Sequence, residues 1–108
     1  MWVDMEKICQ FLNENYSQKL SLEEIALKAG YSKYYINRLF KQYQGTTVMD
    51  YLIQIRIREA KKLLKSSNYS VKRISMMVGY SEPNYFTLTF KKLEGISPMK
   101  YRYSEENT

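Results

Sequence analysis

The chain has 108 residues, of which 17 are Lys or Arg and 11 are Asp or Glu, and it carries a formal net charge of +6 at pH 7. It contains no His and a single Cys, Cys9, which excludes zinc sites of the Cys/His type, Ser-His and Cys-His nucleophile pairs, and any disulfide within the chain. The length suits one ordinary domain or two very small ones, and the lack of a signal peptide or a long apolar run predicts a soluble, cytoplasmic protein.

The basic charge is concentrated in the middle and second half of the chain. Residues 1–27 hold 2 basic and 5 acidic side chains, residues 28–102 hold 15 and 4, and residues 103–108 hold none and 2. Lys and Arg release counterions when they bind phosphates, so this asymmetry favours a polyanionic partner. A merely solvated basic surface would give the same distribution, and charge alone leaves both interpretations open.

Three helices are predicted in the first 44 residues. The first covers Asp4–Asn15, where apolar residues recur at helical spacing. A capping box at Ser21-Leu22-Glu23-Glu24 begins the second helix, which ends at Gly30. Ser32 caps the third, which runs over Lys33–Gln44. A short helix, a glycine-containing turn and another helix form a helix-turn-helix motif.

The third predicted helix has two distinct faces. Its core face holds apolar residues at i, i+3, i+4 and i+7, namely Ile36, Leu39, Phe40 and Tyr43. The opposite face has polar and basic residues at the same spacing, namely Tyr34, Asn37, Arg38 and Lys41. The outward face of this helix is therefore the first candidate for contact with a partner.

A long central helix is predicted over Thr47–Ser66. At about 1.5 Å per residue it would extend roughly 30 Å. Its apolar residues follow two neighbouring faces, which indicates two packing partners: Val48, Leu52, Ile55 and Leu63 on one face, and Met49, Ile53, Ile57, Ala60 and Leu64 on the other. The basic residues Arg58, Lys61, Lys62 and Lys65 are predicted to form a solvated face of this helix.

The helix-turn-helix pattern then occurs a second time. Gly79-Tyr80-Ser81 repeats Gly30-Tyr31-Ser32 at an offset of 49, whereas Phe90-Lys91 matches Phe40-Lys41 at an offset of 50. This internal duplication predicts one extra residue in the second helix of the second motif.

In the second copy the motif's second helix is predicted over about Glu82–Leu93, with Pro83 in its first turn. Its core face holds Phe86, Phe90 and Leu93, and its outward face holds Asn84, Thr87, Leu88 and Lys91. A short final helix, capped by Ser97, is predicted from Pro98 to about Tyr103 and is followed by a frayed polar tail over Ser104–Thr108. The phenylalanines and Tyr51 lie at core spacing, and the methionines are predicted to fill gaps in the core.

The sequence resembles the DNA-binding domain of the AraC/XylS family of bacterial transcription regulators. The resemblance covers LEEIALKAGYSKYYINRLFKQYQG, then DYLIQIRIREAKKLL, and it is most specific in ISMMVGYSEPNYFTLTFKKLEGISPMKYR. It implies an all-α fold of about seven helices, in which two helix-turn-helix subdomains, 1–46 and 67–108, are joined by a linker helix over 47–66. The second helix of each motif, called the recognition helix, would then enter a major-groove segment, and both segments would lie on the same side of the DNA duplex.

Carried over residue by residue, the resemblance implies two sets of DNA-contacting side chains. Base contacts fall on Tyr34, Asn37, Arg38, Pro83, Asn84, Thr87 and Leu88. Backbone contacts fall on Ser32, Lys33, Lys41, Ser81, Lys91 and Lys92, where the two serines are also predicted to cap the recognition helices. In the linker helix, Arg56 matches a family Arg that is structural and pairs with an acid, and the other basic residues of that helix would have some reach to the DNA backbone. Arg can bond guanine O6 and N7 together, and Asn37 can pair with adenine or serve a phosphate. Tyr34 can pack on a thymine methyl or bond a phosphate, an exposed Leu would meet a thymine methyl, and Lys positions the protein on phosphates.

The sequence therefore predicts specific double-stranded DNA binding for transcription control, without a cofactor, a metal or a membrane. RNA polymerase is a further partner implied by the resemblance, and a sensing or receiver domain can precede such a domain in the full-length protein. The alternative is a helical protein-interaction module whose surface includes Tyr34, Tyr35 and Leu88. An enzyme is the least favoured class, because no acid, base and nucleophile lie at usable spacing.

Overall fold

The computed structural model describes residues 4–105, and within that range all regular secondary structure is helical. The helices are α1 (Met5–Asn15), α2 (Leu22–Ala29), α3 (Lys33–Gln44), α4 (Val48–Ser66), α5 (Val71–Met77), α6 (Pro83–Glu94) and α7 (Pro98–Arg102). The predicted all-α class with about seven helices is confirmed. Residues 1–3 and 106–108, which include the start of the predicted first subdomain and the end of the predicted polar tail, lie outside the described residues.

Side-chain caps determine where most of these helices begin. A side-chain oxygen accepts a backbone N–H two or three residues further on at Asp4, Ser21, Ser32, Thr47, Ser70 and Ser97. Such a cap is typically worth about 1 kcal/mol. At the other end of α2 and α3, Gly30 and Gly45 adopt φ values of 79° and 88°, which glycine reaches without a steric penalty. The predicted caps at Ser21, Ser32 and Ser97 are confirmed.

The chain divides into two compact units, and the first, Met1–Ile55, has its own apolar core. The buried residues of that core are Met5, Ile8, Leu12, Ile25, Ala26, Ala29, Ile36, Phe40, Val48, Leu52 and Ile55. Tyr51 packs its ring edge-on against Phe40 with 5.4 Å between ring centroids. The core thus joins α1, α2, α3 and the first half of α4, and it fixes the orientation of α3.

The second unit, Arg56–Thr108, has a core rich in aromatic rings. Its buried residues include Ile57, Ala60, Leu64, Ile74, Val78, Tyr80, Phe86, Phe90, Pro98 and Tyr101. Phe86 lies 5.3 Å from Tyr80 and 5.8 Å from Phe90 between ring centroids, and Phe90 lies 5.7 Å from Tyr101. These contacts hold α6 against α5, α7 and the second half of α4, and they confirm the predicted core positions of Phe86 and Phe90.

The boundary between the units falls inside α4, between Ile55 and Arg56. Val48, Leu52 and Ile55 are buried in the first unit, whereas the buried Ile57, Ala60 and Leu64 belong to the second. The two predicted packing partners of the central helix are therefore the two units themselves. Among the described residues, none of the helices has the combination of length and apolar composition needed to cross a membrane.

The extra residue of the second helix-turn-helix copy lies in the turn before α6. The prediction that it lies within the second helix of that motif is wrong. α3 and α6 have the same length, 12 residues each. Ser32 directly precedes α3, whereas Glu82 stands between Ser81 and α6. Because Pro83 has a fixed φ and no N–H, it suits the first helical position, which makes Glu82 the N-cap. The prediction that Ser81 caps this helix is therefore also wrong.

Several residues predicted to be in the core are exposed instead. Tyr43 and Leu93, which occupy equivalent positions in the two copies, are 53% and 50% exposed. Each lies in the last turn of its helix, where the helix extends past the underlying core. Met76, Met77 and Met99 are also exposed, so they do not fill gaps in the core. In α5 the exposed methionines belong to a surface considered below.

Candidate nucleic-acid interface

The outward face of α3 presents an aromatic and a cationic side chain to solvent. Tyr34 is 86% exposed, and Arg38 is exposed on the following turn. The Arg38 guanidinium lies 5.7 Å from the centre of the Tyr35 ring, a cation–π contact within the helix. Lys41, one turn further on, is also exposed. The structure thus brings three of the four predicted outward residues to one accessible face.

Asn37 differs from its neighbours because its side chain has a partner within the protein. Its Oδ1 accepts a hydrogen bond from the backbone N–H of Val48 at 3.1 Å, and the side chain is half-buried. Val48 is the first residue of α4, where N–H groups have no partner within the helix. Pairing with adenine would use the same oxygen. The amide of Asn37 therefore holds the start of α4 in this structure.

Lys33 and Glu23 form an ion pair at the entrance to α3. Lys33 Nζ lies 3.2 Å from Glu23 Oε2, with side chains 48% and 70% exposed. The pKa of Glu23 is lowered, mainly by a backbone hydrogen bond and secondly by Lys33. An exposed pair of this kind contributes little to stability and is screened by salt. Lys33 is therefore free to exchange this carboxylate for a phosphate at little cost.

The outward face of α6 is more apolar than that of α3. Leu88 is 68% exposed, Asn84 is exposed, and Pro83 and Thr87 are half-buried at the edges of the helix. Lys91 is exposed one turn beyond Leu88. The other two predicted backbone contacts of this unit, Ser81 and Lys92, are exposed as well. The predicted residues of the second copy are thus accessible, with a large apolar side chain near the centre of the surface.

The two copies differ at the position of Asn37 for a clear chemical reason. At the offset of 50, Thr87 corresponds to Asn37 and Pro98 corresponds to Val48. Proline has no backbone N–H, so the start of α7 lacks the donor that Asn37 satisfies at the start of α4. Thr87 therefore has no equivalent N–H to hold. Its hydroxyl is left for other contacts, whereas the amide of Asn37 is engaged.

Arg58 and Lys62 keep the exposed placement that the sequence predicted. They lie on either side of Glu59, whose Oε2 is 3.0 Å from Arg58 Nε and 3.1 Å from Lys62 Nζ. Pairs of this kind at the surface stabilise a helix only slightly.

Lys61 and Lys65 stabilise the second unit, and the prediction that they belong to a solvated face is wrong. Lys61 Nζ lies 2.9 Å from Glu94 Oε1, and both side chains are only 23% exposed. Lys65 Nζ donates to the carbonyl oxygen of Ser104 and lies 4.8 Å from the centre of the Tyr101 ring. These contacts tie α4 to the end of α6, to α7 and to Ser104 just beyond it. Their charges are therefore partly used inside the fold.

Arg102 has a structural role that the sequence pattern did not identify. Its Nε donates to the carbonyl oxygen of Leu64 at 3.0 Å, and its Nη2 donates to the carbonyl oxygen of Tyr69. The first acceptor lies in the last turn of α4, where carbonyl groups lack partners within the helix. The only sequence signal for this role is the position of Arg102 at the end of the second motif.

Arg56 has the structural role that the resemblance implies, and its guanidinium packs against an aromatic ring, whereas its pairing with an acid stays a prediction. Its guanidinium lies 5.4 Å from the centre of the Tyr80 ring, and the side chain is half-buried. Burial raises the pKa of Tyr80, whose ring is 6% exposed, and burial lowers the pKa of Arg56. Within residues 4–105, no group of three His, Cys, Asp or Glu side chains is placed to hold a metal ion.

Comparison with known proteins gives consistent matches over this whole region. A family described as a helix-turn-helix domain matches residues 25–104. YisR, an uncharacterised HTH-type transcriptional regulator of Bacillus subtilis, is 38% identical over 93 residues, which are 86% of this chain and 32% of that protein. The chain thus spans about a third of the length of this relative.

Solved structures of two similar domains superpose on nearly the whole chain. The C-terminal domain of AraT, a response regulator from Geobacillus stearothermophilus, superposes with a TM-score of 0.87 and 33% identity, covering 96% of this chain and 90% of that one. The DNA-binding domain of AdpA, solved in complex with a target DNA, gives a TM-score of 0.86 and 26% identity, covering 91% and 88%.

Proposed function

Because the chain belongs to the AraC/XylS family of helix-turn-helix transcription regulators, we propose that it recognises specific double-stranded DNA sequences through the exposed faces of α3 and α6. DNA binding for transcription regulation is the function of this fold and family. The AdpA domain, which shares the fold, was solved on its target DNA. In our proposal both helices enter major-groove segments on one side of the duplex, as the family resemblance implies.

The exposed face of α3 is the observation on which this proposal chiefly rests. Tyr34 and Arg38 lie on it beside Lys41, and the buried face of the same helix is fixed by Ile36 and Phe40. A rigid helix that presents a guanidinium suits bidentate contact with guanine in the major groove, worth about 1–3 kcal/mol of discrimination. We therefore assign Arg38 to base contact and Tyr34 to a base or the adjoining phosphate.

Asn37 has a different role in this proposal from the one the resemblance implies. Because its Oδ1 holds the N–H of Val48, we propose that it positions α3 against α4 and supports base recognition indirectly. A base contact by Asn37 would first require that hydrogen bond to open. The contact with adenine stays a prediction, to be tested by the experiments below.

On α6 we propose a mixed set of contacts. Asn84 and Thr87 would form hydrogen bonds with base edges. Leu88 would pack against a thymine methyl group, because its side chain has no hydrogen-bond donor or acceptor. Pro83 would lie against the sugar or base edge at the start of the helix. Lysine side chains and capping groups would neutralise phosphates on both motifs, namely Ser32, Lys33, Lys41, Ser81, Lys91 and Lys92.

We further propose that these residues are the output domain of a longer cytoplasmic regulator that acts by binding, without a catalytic step. Two observations support this: YisR is about three times as long as the matched segment, and the matched domain of AraT is the C-terminal part of a response regulator. A sensing or receiver domain would then control access of the helix-turn-helix motifs to DNA, and RNA polymerase would be the partner at the promoter.

Selection of bound duplexes from a random pool tests the proposed function directly. We expect enrichment of a discrete sequence whose affinity falls steeply with rising salt, because phosphate contacts release counterions. Binding to heparin together with equal affinity for all duplexes would contradict the proposal. That outcome would favour the protein-interaction module, with Tyr34, Tyr35 and Leu88 as its surface.

A further inference from the structure

The first helices of the two helix-turn-helix motifs present matched surfaces of opposite charge. Residues 22–29 and 71–78, related by the offset of 49, have the same order of buried, half-buried and exposed positions. Four positions are exposed in each copy. They hold Glu23, Glu24, Leu27 and Lys28 in the first copy, which we call the acidic face, and Lys72, Arg73, Met76 and Met77 in the second, which we call the basic face.

Each face has an exposed apolar side chain next to its charges. Leu27 is 82% exposed on the acidic face, and Met76 is 56% exposed at the equivalent position. The basic face also contains an open depression of about 440 Å³, lined by Ser70, Lys72, Arg73, Met76 and Met77. A projecting leucine on one surface and a shallow apolar depression on the other are complementary in shape. Methionine side chains adapt readily to an incoming apolar group.

The charges of the basic face are only partly explained by local contacts, because the guanidinium of Arg73 lies 4.5 Å from the centre of the Tyr69 ring but both cations stand at the wrong end of α5. Lys72 and Arg73 lie in its first turn, which contains no acidic residue, and the helix dipole disfavours cations at that end. In α2 the arrangement is the favourable one, because Glu23 and Glu24 lie in the first turn and Glu24 also bonds to the Ser21 hydroxyl at 3.0 Å. Lys72 and Arg73 therefore lower the stability of α5 through the helix dipole, and an acidic partner would offset this loss.

We propose that the acidic face of one chain docks on the basic face of a second copy of this chain. Leu27 would enter the depression beside Met76 and Met77, with Glu23 and Glu24 opposite Lys72 and Arg73. The exposed pair between Glu23 and Lys33 does not prevent this, because a surface ion pair is weak and exchanges readily.

Such a contact joins two different surfaces, so it is heterologous and leaves one acidic and one basic face open on the resulting pair. A chain bound at one DNA site would thereby recruit a second chain to a neighbouring site. The closed symmetry of a two-fold dimer is not required.

Complementary charge reversal tests the contact without DNA, so its outcome is independent of the proposed function. Lys72→Glu with Arg73→Glu makes both faces acidic, and Glu23→Lys with Glu24→Lys makes both faces basic. The unaltered chain should show concentration-dependent amide shifts by NMR, and each double variant alone should lose them. Mixing the two should restore shifts confined to residues 22–29 and 71–78, and higher salt should weaken them. Both variants keep a net positive charge, so attraction between them cannot come from overall charge.

Two further variants complete the test. Lys19→Glu with Lys100→Glu changes the net charge by the same amount as the acidic variant, at exposed positions outside both faces, and it should still self-associate. Leu27→Ser keeps every charge and the capping box of α2, and it should also abolish the shifts. If the mixture gives no shifts, the proposal is wrong. A loss of affinity for every duplex in the Lys72 and Arg73 variant, without association of the mixture, would instead assign the basic face to DNA phosphates.

Discussion

The side-chain oxygen of Asn37 accepts the backbone N–H of Val48 at 3.1 Å, which ties the recognition helix α3 to the first residue of α4. In the second copy the equivalent pair is Thr87 and Pro98, in which the donor is absent because proline has no N–H. The duplication has therefore kept the fold of the motif while changing the chemistry at this junction. The difference assigns a supporting role to Asn37 and leaves Thr87 for other contacts.

Replacing Asn37 by Ala should destabilise the first unit by about 1–3 kcal/mol, because the N–H of Val48 would lose its partner at a half-buried helix start. Amide hydrogen exchange should show faster exchange at Val48 and through the first unit. The matched variant Thr87→Ala should leave exchange in the second unit nearly unchanged, since Pro98 has no N–H to satisfy. Unchanged exchange in Asn37→Ala, together with lost discrimination at one A·T pair, would instead support the direct adenine contact.

The sequence predicted the local features of this protein well, since caps and helical spacing depend on residues three or four positions apart. Ser21, Ser32 and Ser97 cap helices as predicted, and Phe40, Phe86 and Phe90 are fully buried. Periodicity also placed Tyr34 and Arg38 on an exposed face.

Contacts between distant residues were not predictable in the same way. The helical pattern gave Asn37 the same outward face as Arg38, and only the fold brings it to Val48, 11 residues away. Lys65 and Arg102 likewise find their carbonyl partners 33 to 39 residues away. A count of basic residues therefore overestimates the charge available to a polyanion, because part of it stabilises the second unit.

Arg38 and Lys91 should behave differently towards DNA. On the selected duplex, the preference of the protein for one G·C pair over other base pairs at that position should fall about 5- to 150-fold in Arg38→Ala, because a bidentate contact is removed. Lys91→Ala should weaken binding to all duplexes alike and reduce the slope of log K against log salt by about 1. Lys19→Ala, exposed and outside the proposed interface, is the control. Equal losses on all sequences for both variants would contradict the division between base and phosphate contacts.

Leu88 should recognise a thymine methyl group if α6 contacts base edges as proposed. Substituting uracil for thymine in the site removes only that methyl, so affinity should fall by about fourfold at the contacted position, since one buried methyl is worth about 0.8 kcal/mol. In Leu88→Ala the same substitution should have little effect. The paired measurement is a titration of both proteins against thymine and uracil duplexes. Equal sensitivity of the two proteins to uracil would exclude Leu88 as the contact.

Tyr80 should be a position where removing an atom stabilises the protein. Its hydroxyl is buried and has no hydrogen-bond partner among the described residues, whereas its ring packs against Phe86 and under the guanidinium of Arg56. Tyr80→Phe keeps the ring and removes the unpaired group, so the free energy of unfolding should rise by about 1 kcal/mol. Thermal unfolding measures this, with Tyr31→Phe, at the equivalent half-buried position of the first copy, as the control.

The same variant should change the response to alkaline pH. Burial raises the pKa of Tyr80 above 10.0, more than the nearby Arg56 lowers it, so the folded state favours the neutral phenol. The resulting stability is fully present below the pKa of the unfolded chain and is lost as pH rises through the higher folded pKa. The difference in melting temperature between Tyr80→Phe and the unaltered protein should therefore widen at alkaline pH. A variant that is less stable than the unaltered protein at neutral pH would contradict the prediction that the unpaired hydroxyl destabilises the fold.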